Sequence, residues 1–179
     1  TLLRIIGDLI EPTEGETVIG GKTAHQARLD RDYGMVFQEA TLMDWRTVEK
    51  NVSLPLEMMG WERAARQDRV DELLELVELR GFENHHPWQL SGGMQQRVAI
   101  ARALTFKPSL ILMDEPFGAL DAHTRLVLQA ELVRIWERTR TSILFVTHDL
   151  AEAILLAQRV VLLSRRPGTI RRIYPIDLP

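Results

Sequence analysis

The 179-residue sequence contains no cysteine, which excludes a disulfide framework and a thiolate metal site. Acidic and basic residues are nearly balanced, 25 against 22, and the formal net charge is -3. The isoelectric point is about 6.0. Because a nucleic-acid-binding protein usually carries a large basic surface, we expect no nucleic acid partner.

Long apolar runs are also missing from the sequence. No uninterrupted stretch approaches the roughly 20 apolar residues that cross a bilayer, so we do not expect the chain itself to span a membrane. Hydrophobic residues make up 45% and charged residues 26% of the chain, as in ordinary globular domains. The length is sufficient for one buried core.

Helical and extended patterns alternate along the chain, which predicts an α/β fold with a layered sheet. The predicted helices are 2–10, 47–60 with a break near Pro55, 62–79, 94–106, 122–139 and 150–157. A short strand that ends in a tight turn is predicted at 15–21. The other predicted strands are 33–38, 110–113 and 143–147, with a closing pair at 160–163 and 170–174. We expect about 39–106 to form a helical subdomain inserted between strands, and 107–179 to return to the α/β core.

Four apolar residues, 110–113, run directly into Asp114, Glu115 and Pro116. Such a run is typical of a strand that is covered on both faces of a parallel sheet. Ligands of open α/β sheets bind at the carboxyl ends of the strands, so Asp114 is suited to Mg²⁺ and Glu115 to a group that the metal orients. The alternative is a solvated turn that is acidic by chance.

Ser91, Gly92 and Gly93 open the helix predicted at 94–106, with serine as its N-cap. The unpaired N–H groups and dipole at a helix start can bind a phosphate, and glycine lets the backbone approach it closely. Taken alone, the same three residues are also compatible with an ordinary helix cap.

Residues 90–97, Leu-Ser-Gly-Gly-Met-Gln-Gln-Arg, followed by 110–116, resemble the signature and Walker B motifs of the ATP-binding-cassette (ABC) ATPases. Residues 118–121, Gly-Ala-Leu-Asp, resemble the D-loop, Gln38 resembles the Q-loop glutamine, and His148 resembles the switch histidine. The resemblance implies a P-loop NTPase-like fold and a single ABC ATPase domain over 1–179.

The resemblance also implies ATP and Mg²⁺ as cofactors. Asp114 and Gln38 would hold the metal, Glu115 would act as general base on the attacking water, and His148 would contact the γ-phosphate. Taken alone, His148 also fits a strand-end residue with local hydrogen bonds, and Gln38 a turn amide.

Ser91, Gly92 and Gly93 are implied to bind the γ-phosphate of ATP held by another subunit, in a head-to-tail dimer of ATPase subunits. The resemblance also implies that Asp121 acts across the dimer interface, and that Gln95 and Asp121 belong to the residues that bind ATP.

A phosphate-binding loop of the form G-x-x-x-x-G-K-S/T does not occur in the sequence. Gly20-Gly21-Lys22-Thr23 looks similar, but Glu16 occupies the position of the first glycine, so we interpret this stretch as a hairpin turn. Residues 1–7 resemble the helix that follows the family's loop. We therefore expect the chain to be a fragment that begins just after the loop, lacks N-terminal strands, binds ATP weakly and hydrolyses it negligibly by itself.

Residues 40–48 follow Gln38, where ABC transporter ATPases meet a membrane-spanning permease. Leu42, Met43 and Trp45 either contact that permease or pack within the helical subdomain. Residues 114–121 and 163–170 resemble bacterial importers of the nitrate, sulfonate, taurine and bicarbonate group. This resemblance implies a peripheral subunit at the cytoplasmic face of the inner (plasma) membrane, with a substrate-binding protein as an indirect partner.

Two other functions are compatible with the motifs. One is a soluble ABC ATPase that acts on ribosomes or DNA, although such proteins usually carry tandem cassettes or basic arms. The other is a nucleotide-independent structural module, which tends to lose the acid that Glu115 provides here.

Overall fold

The computed structural model describes residues 1–177 of the chain, which divide into two compact units, 1–146 and 147–177. In the first unit the helices are α1 (Leu2–Ile6), α2 (Ala24–Leu29), α3 (Val48–Met58), α4 (Arg63–Leu76), α5 (Gly92–Leu104) and α6 (Ala122–Thr139). The strands of this unit are β1 (Val18–Ile19), β2 (Lys22–Thr23), β3 (Tyr33–Val36), β4 (Leu110–Asp114) and β5 (Ser142–Val146). The predicted α/β class is confirmed.

A three-stranded parallel sheet in the order β3-β4-β5 forms the centre of the first unit. Ile111, Leu112 and Met113 of the middle strand are at most 1% exposed. Successive side chains of a strand point to opposite faces. On one face α5 packs against β3, and on the other α1 packs against β4. The predicted burial of β4 on both faces is therefore confirmed.

Gly34 allows an unusually close contact between β3 and α5. A methyl group built on Gly34 would stand 2.3 Å from the Ala103 carbonyl oxygen and 3.0 Å from the Ala103 carbonyl carbon. No side chain larger than hydrogen fits there, because a backbone group cannot rotate away. Glycine at position 34 therefore sets the distance between this helix and the sheet.

Helices α3, α4 and α5 pack on one another. The apolar face predicted for the second of these segments is buried, with each member at most 2% exposed: Val70, Leu73, Leu74, Val77 and Leu79. The predicted break near Pro55 is wrong, since α3 continues through Pro55. Proline costs a helix about 3 kcal/mol. The complete burial of Val52 and Leu56 on either side offsets that cost.

The first helix is shorter than predicted and ends at Ile6, because Asp8 adopts a left-handed backbone with φ 51°. The Leu9 N–H donates to the Arg4 carbonyl and closes the helix end. The Asp8 carboxylate accepts hydrogen bonds from Arg28 and His25 of α2, a helix that the sequence pattern did not reveal.

The hairpin predicted at Gly20-Gly21-Lys22-Thr23 is confirmed. Strands β1 and β2 pair antiparallel, and both glycines have positive φ. The Lys22 ammonium group lies 2.6 Å from Asp30 Oδ2 and 2.7 Å from Asp32 Oδ2. This lysine is thus the first residue of β2, and two carboxylates of its own chain hold its ammonium group.

The second unit contains α7 (Leu150–Leu156), capped by Asp149, and the antiparallel pair β6 (Arg159–Leu163) and β7 (Ile170–Pro175), as predicted. Residues 178–179 of the expected 107–179 segment lie outside the described residues. Across residues 1–177, no helix has both the length and the apolar character needed to cross a membrane.

An ion pair joins α5 to α6. Arg97 donates to Glu131, which is 6% exposed, and Arg97 also reaches the Val77 carbonyl. Arg134 approaches Glu131 only to 3.9 Å. Burial raises the pKa of Glu131, and the charge of Arg97 opposes that effect.

Gly34→Ala should lower the free energy of unfolding by about 3 kcal/mol or more, because the added methyl group meets backbone that cannot move. Gly92→Ala is the matched control. Its methyl group would meet only Leu120 Cδ2 at 3.4 Å, so stability should stay equal or rise by up to about 1 kcal/mol. Chemical denaturation measures both, and equal stabilities would contradict the close contact.

Arg97→Met should destabilise the chain by about 3–5 kcal/mol at neutral pH, because it leaves Glu131 charged and buried. Since the folded pKa of Glu131 is raised, the carboxyl group becomes neutral as pH falls through that pKa. The stability difference from wild type should then shrink. Arg80→Met is the control, because its pair with Glu75 is exposed and worth at most about 1 kcal/mol. A pH-independent difference would contradict the role of the buried charge.

Candidate functional site

The predicted site residues of the central sheet follow strands that end at one edge. Strands β3 and β4 are parallel, so Gln38, two residues after β3, and Asp114, at the end of β4, lie at the same edge. The Gln38 side chain reaches the loop after β4, where a methyl group on Gly118 would stand 3.2 Å from Gln38 Nε2. The structure thus brings Gln38 to the loop that follows Asp114 and begins with Glu115.

Glu115 has a left-handed backbone with φ 47°, which is rare for a residue other than glycine. Its N–H donates to Val146 at the end of β5, and its carbonyl accepts from the Gly118 N–H. Backbone strain of this kind is typical of functional sites, where it aims a side chain that regular geometry would direct elsewhere. No sequence signal distinguished this conformation.

The loop after Glu115 is anchored by apolar side chains that pack in the core. Pro116 is buried, and Phe117 is fully buried with its ring 5.8 Å from that of Phe145 on β5. These apolar contacts fix the backbone from which Asp114 and Glu115 extend. Both acidic residues remain half-buried, so their carboxylates stand at the border between core and solvent.

No group of three or more His, Asp or Glu side chains among residues 1–177 is arranged to hold a metal ion. A Mg²⁺ site fits this edge nonetheless, because Mg²⁺ in nucleotide enzymes uses one or two carboxylates, phosphate oxygens and water. Asp114 and the amide oxygen of Gln38 supply oxygen donors of the required type.

The Ser91 side chain caps α5 by accepting from the Met94 N–H at 3.3 Å, as predicted. Ser91 and Gly92 are exposed, whereas Gly93 is buried. A methyl group on Gly93 would stand 2.6 Å from Thr124 Cγ2 of α6. The start of α5 therefore packs directly on the start of α6.

Asp121 caps α6 and accepts hydrogen bonds from the backbone N–H groups of His123 and Thr124 at 3.1 and 3.0 Å. Hydrogen bonding from the Thr124 side chain, together with these backbone bonds, lowers the pKa of Asp121. Because Gly92 and Gly93 contact Leu120 and Thr124, the two motifs expected to face another subunit form one continuous surface.

Gln95, predicted to bind ATP, donates its amide hydrogens to the carbonyls of Pro87 and Leu90 at 2.8 and 3.4 Å. This contact fixes the turn that precedes α5. The ATP-binding role of Gln95 stays a prediction.

Gln96 was missed by the sequence reasoning. It is 2% exposed and donates to the Phe37 carbonyl at 3.0 Å, directly beside Gln38. The sequence could have revealed its burial, since Gln96 lies between the buried Gly93 and Ile100 on the apolar face of α5. A polar side chain on such a face requires a hydrogen-bond partner.

Arg102, near the end of α5, also binds the segment around Gln38. Its guanidinium donates to the Ala40 and Thr41 carbonyls at 2.9 and 3.0 Å. The segment around Gln38 is therefore held on α5 at two points, through Gln96 and through Arg102.

His148 belongs to the second unit. It is exposed and precedes Asp149, whose N–H donates to Thr147 Oγ1 at 2.9 Å and whose carboxylate caps α7. The backbone around His148 is thus ordered by its own neighbours in that unit. The catalytic role of His148 stays a prediction.

The segment after Gln38 leaves Trp45 75% exposed, whereas Leu42 and Met43 are half-buried. Asn51, which is fully buried, accepts from the Met43 N–H and donates to the Met43 carbonyl. Leu42 and Met43 are therefore partly buried within the unit, in line with the alternative of packing in the helical subdomain. Trp45 is mostly exposed, so packing within the unit buries little of its surface.

A family model described as ABC transporter matches residues 1–118. The chain is 52% identical to an uncharacterized ABC transporter ATP-binding protein of Methanocaldococcus jannaschii and covers 66% of it. It is 48% identical to the nitrate import ATP-binding protein NrtD of Synechocystis sp. and covers 66% of it. It is 46% identical to the aliphatic sulfonates import ATP-binding protein SsuB of Bacillus cereus and covers 69% of it.

These alignments include 99–100% of this chain, so the chain spans about two thirds of the length of its curated relatives. Among solved structures, it resembles a dimeric ATP-binding cassette in a post-hydrolysis state bound to ADP and Pi. That match has a TM-score of 0.81 and 37% identity, and it covers 98% of this chain and 79% of the other. The predicted P-loop NTPase-like fold is confirmed, and the chain belongs to the ABC transporter ATP-binding family.

Proposed function

We propose that the chain is part of a subunit that binds and hydrolyses ATP to drive an ABC importer. The observation that carries the proposal is the contact of Gln38 with the loop after Asp114 and Glu115, at the carboxyl edge of the parallel sheet. An amide and two carboxylates at this edge support the proposal, because α/β sheets bind nucleotides at the carboxyl ends of their strands. Family membership supports ATP as the nucleotide.

In this mechanism Asp114 and Gln38 would hold Mg²⁺, which would supply positive charge to neutralise the phosphates. Glu115 accepts a proton from the attacking water as general base. The left-handed backbone of Glu115 and its hydrogen bond to Val146 fix the direction of the carboxylate. Gln96 keeps Gln38 in reach by holding the Phe37 carbonyl. His148 contacts the γ-phosphate.

The active form is a head-to-tail dimer in which Ser91, Gly92 and Gly93 of one subunit bind the ATP of the other. Ser91 and Gly92 are exposed at a helix start, where N–H groups and the helix dipole favour a phosphate. Asp121 lies on the same surface, next to the residues that Gly92 and Gly93 contact. The dimeric state of the solved cassette with ADP and Pi supports this arrangement.

ATP hydrolysis by the subunit drives a membrane-spanning permease, and a substrate-binding protein is an indirect partner. Residues 39–106 form the helical subdomain that meets the permease, and Trp45, which is 75% exposed, is an apolar contact for it. The similarity to nitrate and aliphatic sulfonates import proteins supports an anion of that group as the solute. The subunit lies peripherally at the cytoplasmic face of the inner membrane.

Glu115→Gln should lower ATP hydrolysis by about 10²–10⁴-fold, because an amide cannot accept the proton from water. Since residues 1–179 contain no G-x-x-x-x-G-K-S/T loop, the variant is made in a chimaera in which such a loop, with a preceding strand, is joined to the start of this chain. Phosphate release measures turnover, and ATP binding should persist.

The matched control is Glu137→Gln in the same chimaera, because Glu137 is exposed on α6. Its turnover should equal that of the parent chimaera. Equal turnover of the Glu115 and Glu137 variants would contradict the assignment of Glu115 as general base.

Gly92→Arg should abolish the ATP-dependent dimer of the Glu115→Gln chimaera, because it places a large side chain on the proposed phosphate-binding surface. Ala64→Arg adds the same charge on exposed α4 and should leave the dimer intact. Sedimentation velocity with ATP and Mg²⁺ measures the two states. A dimer that persists in the Gly92 variant would contradict the proposed surface.

A further inference from the structure

A cavity of about 280 Å³ opens beside β3, away from the motifs assigned to ATP. Three arginines line it, namely Arg28 from α2, Arg31 from the following turn and Arg102 from α5. Its apolar wall includes Tyr33, Met35 and Phe106. Strand β3 is an edge strand of the three-stranded sheet, so the cavity lies where no further strand covers it among residues 1–177.

The charge of Arg102 is not compensated by a carboxylate among the described residues. Its hydrogen bonds go to the Ala40 and Thr41 carbonyls and the Thr41 hydroxyl, and its Nε–H donates to no acceptor in residues 1–177. Burial lowers the pKa of Arg102, with no opposing effect of a nearby acid. An arginine nevertheless stays charged at neutral pH. A partly desolvated cation without a counter-ion favours binding of an anion.

Arg31 adds a second uncompensated charge, since its side chain forms no ion pair with any residue in 1–177 and is exposed. Arg28 differs, because Asp8 accepts from its Nε at 2.8 Å and neutralises it. The cavity therefore has two cations available for a ligand.

The nearest acids along the chain do not cancel these charges. Asp30 and Asp32 flank Arg31 in the sequence, but neither lines the cavity. Both bind Lys22, at 2.6 and 2.7 Å. Their carboxylates are therefore directed to the hairpin lysine.

We propose that this cavity binds a small organic oxyanion, a carboxylate or sulfonate with a short apolar body. The oxygens of the head group accept hydrogen bonds from Arg31 and from the Nε–H of Arg102. The body packs on Tyr33, Met35 and Phe106. A volume near 280 Å³ suits a molecule of this size. This site is separate from the ATP site and does not depend on the proposed function.

Calorimetric titration of the full chain tests the proposal, with 1-butanesulfonate and butanoate as probes. At least one should bind saturably with a dissociation constant on the order of 1 mM or tighter. Inorganic sulfate, 1-butanol and butylammonium should bind at least about tenfold more weakly, because each lacks either the apolar body or the negative charge.

Arg31→Gln should weaken binding of the better probe by about tenfold or more. This exposed side chain has no ion pair in residues 1–177, so the variant should fold normally. Arg102→Gln should weaken binding similarly, but it also removes bonds to Ala40 and Thr41. For that reason the Arg31 variant decides the test. Arg63→Gln, exposed on α4 and outside the cavity, is the control and should bind within about twofold of wild type.

Several outcomes would overturn the proposal. Absence of saturable binding by both organic anions would do so, as would equal binding of 1-butanol or of inorganic sulfate. Equal weakening by Arg31→Gln and Arg63→Gln would show only general charge attraction. Binding of an acidic peptide without binding of either small anion would assign the cavity to a protein partner instead.

Discussion

The parallel pairing of β4 with both β3 and β5 is the constraint on which the rest of the first unit depends. It buries Ile111, Leu112 and Met113 on both faces, and it brings the ends of neighbouring strands to one edge. This pairing also positions the loop that follows β4, because the Glu115 N–H donates to the Val146 carbonyl and so extends the hydrogen bonding between β4 and β5 by one residue. A shift of one residue would exchange the two faces of the strand and remove the acids from this edge.

Helix α5 positions the other motifs relative to this sheet. Its start contacts α6 through Gly93, its middle holds the Phe37 carbonyl through Gln96, and Ala103 lies against Gly34 of β3. One rigid element thus fixes both the surface proposed to face a second subunit and the segment that carries Gln38. Such supports matter because a catalytic group must be held within a fraction of an ångström of its working position.

Three polar side chains of α5 illustrate how polar groups are accommodated in this unit: each donates to carbonyl or carboxylate oxygens. Gln96 and Arg102 serve backbone carbonyls, and Arg97 serves Glu131. Such pairing offsets the cost of removing these groups from water. Arg102 is the member whose acceptors are neutral and whose charge therefore stays uncompensated among the described residues.

The sequence by itself determined the α/β class, most element positions and the order of the motifs, because periodicity, caps and glycines act locally. It also separated the Lys22 turn from a phosphate loop. Tertiary structure decided what depends on distant partners: the continuation of α3 through Pro55, the left-handed backbone of Glu115 and the partner of Gln96. At these positions packing free energy and hydrogen bonds between residues far apart in the chain outweigh local conformational preference. A local sequence pattern cannot predict such long-range interactions.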